Sequence, residues 1–288
     1  MDPPRLNGFR TRPSSAGPRS LPRGWFKVVT GTSDARLDGG EGVHRVNLRS
    51  AALTDIGRRR KANEDCYALA PEIGLYLVAD GMGGHAAGQL ASELAAQAVV
   101  DTLRSLIDAS ASLTEKLRYA TAAANREILA AVRQRPALTG MGTTLVAVLA
   151  SPNRIALAHV GDSRAYLIRA GRIRQLTDDH SLVAELVRRH EISETAARGH
   201  PHRHVLTRAL GVRRGVEADL AEFTPAAGDS FVLCSDGLTG HVSDDEICET
   251  VLAEQNNLDS ACTHLVNLAN ARGGDDNVTV VIVRCEKD

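Results

Sequence analysis

The fold of this chain is decided at the stretch Leu75-Tyr-Leu-Val-Ala-Asp80-Gly-Met-Gly-Gly-His85. Its apolar first half predicts a short buried strand, and the glycine cluster that follows predicts a sharp turn. An alanine-rich helical pattern begins directly after the turn. The strand therefore delivers the carboxylate of Asp80 to a turn whose backbone is left bare by Gly81, Gly83 and Gly84. Carboxylate and carbonyl oxygens in such an open setting suit a hard cation.

Four further acidic segments stand in a similar context, beside a strand pattern and next to Gly, Ser or Asn. They are Glu64-Asp65, Asp162, Asp236 and Asp275-Asp276-Asn277. Taken singly, an aspartate after a strand is a common turn or cap residue. Carboxylates gathered at one sheet edge, however, repel one another and are stable when a cation neutralises them. Oxygen ligands favour Mg²⁺ or Mn²⁺ over zinc, and two such ions about 3.5–4 Å apart would present hydroxide to a phosphorus atom.

The composition is that of an ordinary globular protein. The chain has 288 residues, of which 43% are apolar and 24% charged, and its net charge of −1 favours neither nucleic acid nor an anionic membrane as partner. Five scattered cysteines without a CxxC pair predict reduced thiols. No apolar run is long enough for a transmembrane helix, and no signal-peptide pattern opens the chain. These features predict a cytoplasmic protein.

Two segments differ in organisation. Residues 1–46 hold half of the ten prolines and little apolar periodicity, which predicts a disordered basic leader, with a docking or nucleic-acid arm as the alternative. Residues 47–288 carry regular strand and helix patterns. The strands and helices come in runs rather than in strict alternation, so this part is predicted to be a single α+β domain with helices packed on largely antiparallel sheets.

Local patterns within the domain predict individual elements. Two long helices are expected over residues 86–108 and 112–134, and the strands of residues 143–176 are expected to form an antiparallel meander. Capping-box spacing occurs at Ser112-Leu-Thr-Glu115 and Ser243-Asp-Asp-Glu246, which predicts a helix N-terminus at each.

Eight motifs in sequence order resemble one family, the metal-dependent protein phosphatases of the PPM type (type 2C serine/threonine phosphatases), in a bacterial form. Each motif is weak alone, but the ordered set is highly specific and spans about residues 47–285. The motifs are Arg60-Lys-Ala-Asn-Glu64-Asp65, Asp80-Gly-Met-Gly-Gly-His85, Gly142-Thr-Thr144, Val160-Gly-Asp162-Ser-Arg164, Leu176-Thr-Asp-Asp-His180-Ser, Leu206-Thr-Arg208-Ala-Leu-Gly211, Leu233-Cys-Ser-Asp236-Gly-Leu238 and Asp276-Asn-Val-Thr279.

This resemblance implies the fold and the metal ligands. The fold would be a four-layer α/β/β/α sandwich with two central antiparallel sheets and a flap at about residues 180–207. Two core Mn²⁺ or Mg²⁺ ions would be bridged by Asp80, with Asp236 and Asp276 completing one shell and the carbonyl of Gly81 serving the other ion. Asp162, together with Asp236, would take a third ion, and Glu64 and Asp65 would hold metal-bound waters.

The resemblance also implies two catalytic residues. Arg60 matches the arginine that grips the substrate phosphate, a task that suits a planar bidentate donor. His85 is the candidate general acid, since a histidine can donate a proton near neutral pH. A histidine that merely packs in the glycine loop or holds a water is the alternative for His85.

The implied function is hydrolysis of phosphoserine and phosphothreonine in proteins, by a hydroxide that bridges the two ions, in opposition to a bacterial Ser/Thr kinase. Phosphoproteins, including that kinase, would be the partners of a monomer. The alternative from a different class is a phosphoprotein-binding or scaffolding module whose catalysis is incidental.

Three other motifs could be taken for a dinucleotide site, a zinc site and a nucleic-acid patch, but their contexts favour simpler interpretations. Gly81-Met-Gly-Gly-His-Ala86 fits the GxGxxA dinucleotide fingerprint, but Asp80 would face the pyrophosphate and no second strand follows where a βαβ unit needs one. His200-Pro-His202-Arg-His204 lacks a cysteine or acid at zinc-ligand spacing and favours a solvated loop. The basic run Arg58–Lys61 lacks interleaved aromatic residues and favours a solvated turn with one phosphate-binding arginine.

Overall fold

The computed structural model of the chain describes residues 33–36, 46–84 and 86–287. Four residues of the predicted leader, Ser33–Arg36, form a strand, which differs from the expectation of disorder there. The rest of the leader up to residue 45 lies outside the described residues, as does His85, so what was expected of them remains a prediction.

Within the described residues the chain forms twelve strands and seven α-helices. The strands are β1 (Ser33–Arg36), β2 (Val46–Asp55), β3 (Asp65–Ala70), β4 (Leu75–Met82), β5 (Gly142–Thr143), β6 (Leu145–Ser151), β7 (Arg154–Val160), β8 (Arg164–Arg169), β9 (Arg172–Gln175), β10 (Asp219–Phe223), β11 (Ser230–Cys234) and β12 (Val278–Lys287). The helices are α1 (Ala86–Ser105), α2 (Leu113–Gln134), α3 (Leu182–Arg188), α4 (Glu194–Arg198), α5 (Asp236–Thr239), α6 (Asp244–Ala253) and α7 (Leu258–Ala271).

The strands build two antiparallel sheets that face each other. The first sheet has the order β1-β2-β12-β11-β8-β9, and the second has the order β10-β7-β6-β4-β3, with β5 attached to β4. Helices α1 and α2 pack on the outer face of the second sheet, and α6 and α7 pack on the outer face of the first. The predicted α+β fold of two central antiparallel sheets flanked by helices is therefore confirmed.

Three apolar layers hold the sandwich together. The central layer lies between the sheets and contains the fully buried side chains of Tyr76, Val78 and Phe231. The alternation of strand residues explains it, because Leu75 and Leu77 point the other way, toward α1 and α2. The third layer lies under α6 and α7. None of the helices in the described ranges is long and apolar enough to cross a membrane.

The chain passes from one sheet to the other at Gly161-Asp162-Ser163. Strands β6 and β7 form a hairpin in the second sheet, whereas β8 and β9 form a hairpin in the first. The prediction of one continuous meander over residues 143–176 was therefore wrong. The Gly-Asp-Ser break has the composition of a hairpin turn, but Gly161, at φ 111°, turns the chain across the sandwich and carries Asp162 to the end of both sheets.

The strand directions bring the five acidic segments to one end of the sandwich. Asp65 opens β3 directly opposite Asp80 near the end of β4. Asp162 follows β7, Asp236 follows β11, and Asp276 lies just before β12, which runs antiparallel to β11. In an antiparallel sheet the end of one strand lies beside the start of its neighbour, so these positions share an edge.

Candidate metal centre

Asp65 and Asp80 form the pair of carboxylates at the centre of the site. The Asp65 Oδ2 atom accepts hydrogen bonds from Thr279 Oγ1 at 2.6 Å and Ser235 Oγ at 2.8 Å. Its other oxygen, Oδ1, is buried without a hydrogen-bond partner among the described residues. Burial raises the pKa of Asp65 to about 7 despite the two hydroxyl donors.

The backbone of Asp80 is fixed by two threonines of the β5–β6 segment. Its N–H donates to Thr144 Oγ1 at 2.9 Å, and its carbonyl accepts from Thr144 N–H at 2.9 Å and Thr143 Oγ1 at 2.8 Å. Burial holds the pKa of the Asp80 carboxyl well above its ordinary value, and the charges of Asp65 and Asp236 raise it further. The end of β4 thus holds the Asp80 carboxyl in a buried position among other acids.

Asp162 and Asp236 are a second pair of interacting carboxylates. Burial raises the pKa of Asp162 well above its ordinary value, and the charge of Asp236 is the next largest cause. Asp236 is the first residue of the four-residue helix α5, directly after the end of β11 and Ser235. Its Oδ1 atom is buried and has no hydrogen-bond partner in the described chain.

Asp276 links the acidic cluster to the loop that carries Arg60. Its Oδ2 atom accepts from Arg60 Nη2 at 2.5 Å, and its Oδ1 atom accepts from the N–H of Asn277 at 2.8 Å. Burial and the charge of Asp236 still raise the pKa of Asp276. Arg60 is about half exposed, at 47%, so its guanidinium can exchange Asp276 for another anion at the protein surface.

The donor set fits Mg²⁺ or Mn²⁺. Four carboxyl groups have raised pKa values because they are buried close to one another, and a divalent cation among them would remove that cause. Two buried oxygens, on Asp65 and Asp236, have no hydrogen-bond donor among the residues that the structure describes. Oxygen atoms that are buried, clustered and unpartnered are the ligands that a hard cation takes.

Gly81 sits where no side chain fits. Its N–H donates to the carbonyl of Glu64 at 3.1 Å, and a Cβ atom on residue 81 would lie 2.2 Å from the carbonyl oxygen of Gly88. A Cβ atom on Gly88 would in turn lie 1.9 Å from Glu64 Oε2. The two glycines let α1 approach β4 closely and place the 92% buried Glu64 at the site.

A polar framework holds the acids in place, and its residues lie in the last of the eight motifs, although the sequence predicted no role for them. Asn277 donates to the carbonyls of Ile56 at 2.9 Å and Ala62 at 3.0 Å, and it accepts from Glu64 N–H at 2.8 Å. It thereby ties the Arg60 loop to β12. The alternation Asn277-Val-Thr279 was the available signal, because residues two apart on a strand share a face. Asn277 and Thr279 both serve the acidic cluster.

The predicted flap segment reaches the same end of the sandwich. It contains α3 and α4, and its last histidine, His204, places Nδ1 at 3.8 Å from Asp236 Oδ2. His200 is half-buried and His202 is exposed, and their ring centroids lie 5.7 Å apart. No metal-ligand group contains these histidines among the described residues.

A separate cluster lies at the base of this segment. Among the residues described, His159, His180 and Asp219 form the one group of three whose ligand atoms all lie within 4.8 Å of one another. The rings of His159 and His180 have centroids 4.6 Å apart, and both side chains are buried.

Comparison with known proteins identifies the family. The family described as Protein phosphatase 2C matches residues 41–278. The serine/threonine phosphatase stp of Listeria monocytogenes is 41% identical over 238 residues, which are 80% of this chain and 93% of that protein. The crystal structure of the Mycobacterium tuberculosis serine/threonine phosphatase PstP/Ppp has a TM-score of 0.76 and 42% identity, covering 84% of this chain and 99% of that one. A structure of the PstP catalytic domain with two manganese ions has a TM-score of 0.74 and 40% identity, covering 84% and 99%.

The two facing sheets and the carboxylate cluster at their end, together with these matches, define the class as the metal-dependent phosphatases of bacterial PPM type. The chain belongs to the protein phosphatase 2C family. Since a solved relative holds two manganese ions, the prediction of a divalent-metal cofactor is confirmed at the level of the family.

Proposed function

We propose that this chain hydrolyses phosphoserine and phosphothreonine in proteins by means of two Mn²⁺ or Mg²⁺ ions. The single observation that carries the proposal is a pair of buried carboxylate oxygens, on Asp65 and Asp236, that have no hydrogen-bond partner within the described part of the chain and lie in a cluster of acids with raised pKa values. Relatives are named serine/threonine phosphatases, and one of them was solved with two manganese ions.

The proposed metal ligands are those that the resemblance to the family implies. The charges of Asp65, Asp236, Asp162 and Asp276 all act on the Asp80 carboxyl, which supports a role for Asp80 in holding both core ions. Asp236 and Asp276 would help to hold one of them, and the Gly81 carbonyl the other. Glu64 and Asp65 would orient water, and Asp162 with Asp236 would hold a third ion. When bound, the ions supply the bridging hydroxide and neutralise the phosphate oxygens.

The residues around the ions would bind the substrate and handle the proton. Arg60 would release Asp276 and take two phosphate oxygens, which aligns the phosphorus for in-line attack. The leaving alkoxide needs a proton, and His85 is the proposed donor.

The proposed setting is a monomer in the cytoplasm that opposes a Ser/Thr kinase and acts on phosphoproteins, that kinase among them. The five cysteines are buried and free, which supports a reducing compartment.

The test is hydrolysis of a phosphothreonine peptide by wild type and Asp236→Asn, each with Mn²⁺ and with EDTA. We expect wild-type activity only with Mn²⁺, and a loss of about a hundredfold or more in the variant, because an amide is a weaker ligand than a carboxylate for the ion that stabilises charge on the reacting group. Asp101→Asn, an exposed aspartate on α1, is the matched control and should leave the rate unchanged.

Either of two results would overturn the mechanism: turnover that survives EDTA, or full activity in Asp236→Asn. A wild-type protein that binds Mn²⁺ and a phosphopeptide without hydrolysing it would establish the alternative, a phosphoprotein-binding module.

A further inference from the structure

The segment that reaches the metal centre is joined to the domain through a narrow neck. Its two ends pair with each other: Thr207 N–H donates to the carbonyl of His180, and Leu182 N–H donates to the carbonyl of Val205, both at 2.8 Å. Ser181 and Leu206 form an antiparallel bridge between them. Residues 180–207 therefore leave the domain and return to it at one place, which we call the flap neck.

One carboxylate holds both sides of the flap neck. Asp219, the first residue of the edge strand β10, accepts from His180 Nε2 at 3.1 Å through Oδ2 and from Arg208 Nη1 at 2.7 Å through Oδ1. His180 is the residue at which the flap begins, and Arg208 directly follows its end. The two oxygens of a single side chain thus tie the entry and the exit of the flap to the second sheet.

The two sides of the neck are also connected to the metal centre. On the entry side, His180 N–H donates to the carbonyl of Gly161 at 2.8 Å, and Gly161 N–H donates to His180 Nδ1 at 3.1 Å. Gly161 immediately precedes Asp162. On the exit side, Leu210 exchanges two backbone hydrogen bonds, of 2.9 and 3.1 Å, with Thr143, whose hydroxyl donates to the carbonyl of Asp80.

The hydrogen bonds of His180 decide whether the group of His159, His180 and Asp219 is a metal site or is held together by hydrogen bonds alone. Because Nδ1 accepts the Gly161 N–H, it has no proton, and Nε2 carries the hydrogen that Asp219 accepts. A metal on Nε2 would force a proton onto Nδ1, where it would face the Gly161 N–H. The ligand-like grouping of His159, His180 and Asp219 is therefore explained by hydrogen bonding without an ion.

We infer that Asp219 is a positioning residue, which clamps the flap neck and so fixes the flap over the metal centre for binding of a phosphorylated peptide. The inference rests on the proposed phosphatase function for its substrate, but the clamp itself is a property of the folded chain. Asp219 lies outside the acidic cluster and therefore affects the affinity for substrate rather than the chemical step.

Hydrogen exchange of the metal-free protein tests the clamp without any catalysis. The probes are the amide hydrogens of Leu182 and Thr207, which cross the neck. We expect Asp219→Ala to speed their exchange about tenfold, since it removes a hydrogen bond between a charged acceptor and the buried His180. Arg208→Gln removes only the exposed ion pair, so we expect about threefold.

The matched control is Glu222→Ala. Glu222 lies on the same strand and pairs with Arg154 at 3.6 Å, but it does not contact the flap neck. We expect wild-type exchange in this variant. Equal protection of the Leu182 and Thr207 amides in wild type and Asp219→Ala would overturn the clamp. It would also be overturned if wild type and Glu222→Ala bound Zn²⁺ and Asp219→Ala did not.

Kinetics separates positioning from a general structural role. With Mn²⁺, Asp219→Ala should raise KM for a phosphothreonine peptide about tenfold, while kcat for p-nitrophenyl phosphate, which is too small to need the flap, stays within about twofold of wild type. Equal losses on both substrates would overturn the assignment. If wild type hydrolyses neither substrate, the proposed function fails, and the exchange experiment still decides the clamp.

Discussion

At the scale of single residues, His159 is the most buried histidine among the residues that the structure describes. Its side chain is 1% exposed and lies on β7 directly opposite Asp219. Around it are the ring of His180, the carboxylate of Asp219 and the guanidinium of Arg208. Burial lowers the pKa of His159 to about 3, and the charge of His180 adds to the effect.

This shift predicts an acid-dependent loss of stability. Between its ordinary pKa of 6.5 and about 3, His159 is protonated in the unfolded chain and neutral in the folded one, so the free energy of unfolding falls as the pH falls. The slope due to His159 is about 1.4 kcal/mol per pH unit. The raised pKa values of the acidic cluster act in the opposite direction in both proteins, so the prediction concerns the difference between them. We expect the stability of His159→Phe, which keeps a ring and has no proton to gain, to increase relative to wild type as the pH falls from 6.5 to 4.5, as measured by urea unfolding in EDTA.

The control is His264→Gln, at an exposed position of α7, whose profile should run parallel to that of wild type. Parallel profiles for wild type and His159→Phe would contradict the prediction, because they would mean that protonation of the buried His159 ring does not lower the free energy of unfolding.

The acidic residues could be found from the sequence, whereas their supports could not. Asp80 and Asp236 each follow an apolar strand pattern, and a cluster of such endings already indicates a cation. Ser235 directly follows β11 and Thr279 lies on β12, and both donate to Asp65, which opens β3 of the other sheet. Both hydroxyls fall inside the matched motifs, but the sequence does not show that they converge on Asp65.

At the scale of elements, the two capping boxes are the clearest agreement between sequence and structure. The Ser112 hydroxyl accepts from Glu115 N–H at 3.3 Å, and Glu115 Oε2 accepts from Ser112 N–H at 2.9 Å. The same reciprocal pair forms between Ser243 and Glu246 at α6. Both motifs satisfy N–H groups that the helix itself leaves without partners.

We predict that Ser112→Ala destabilises the protein by about 1 kcal/mol, the usual cost of losing an N-cap side chain. Ser110→Ala, two residues earlier in the exposed loop before α2, should change stability by less than about 0.5 kcal/mol. Urea unfolding of the three proteins at pH 7 measures both values. Equal stability of Ser112→Ala and wild type would show that packing of α2 on α1 alone fixes where the helix begins.

Long periodic elements could be predicted, and short ones could not. Helices α1 and α2 carry five or more turns of apolar spacing, so their type and approximate ends follow from the pattern. Helix α5 has four residues, too few for any period to show, and exists because the chain turns back after Asp236. The crossing at Gly161 was missed for a related reason: a tight turn and a crossover have the same composition.

At the scale of the whole molecule, the acidic cluster is shared between the two sheets. Asp65 and Asp80 belong to the second sheet, Asp236 and Asp276 to the first, and Asp162 lies on the connection. Ions bound among these groups would therefore join the two halves of the sandwich and would have no comparable site in the unfolded chain.

Metal should accordingly stabilise the fold. At a Mn²⁺ concentration about 100 times its Kd, we expect the free energy of unfolding to rise by about 2.7 kcal/mol. Asp236→Asn should lose most of this gain. In EDTA, the same variant should be as stable as wild type or more so, because one of the repelling carboxylates is gone. Thermal unfolding with and without Mn²⁺ tests this, and a wild-type midpoint independent of Mn²⁺ would contradict it.

The pairing of β2 with β12 has a consequence for the order in which the protein folds. These strands form ten cross-strand pairs, and the hydroxyls of Thr54 and Thr279 meet at 2.7 Å although they are 225 residues apart in sequence. Closing so long a loop is entropically costly, so this contact is expected late in folding. Asp276 and Asn277 are delivered by that same closure. A folding intermediate without β12 therefore has no assembled site, and the newly made chain stays inert toward the phosphoproteins around it until its most distant strands have met.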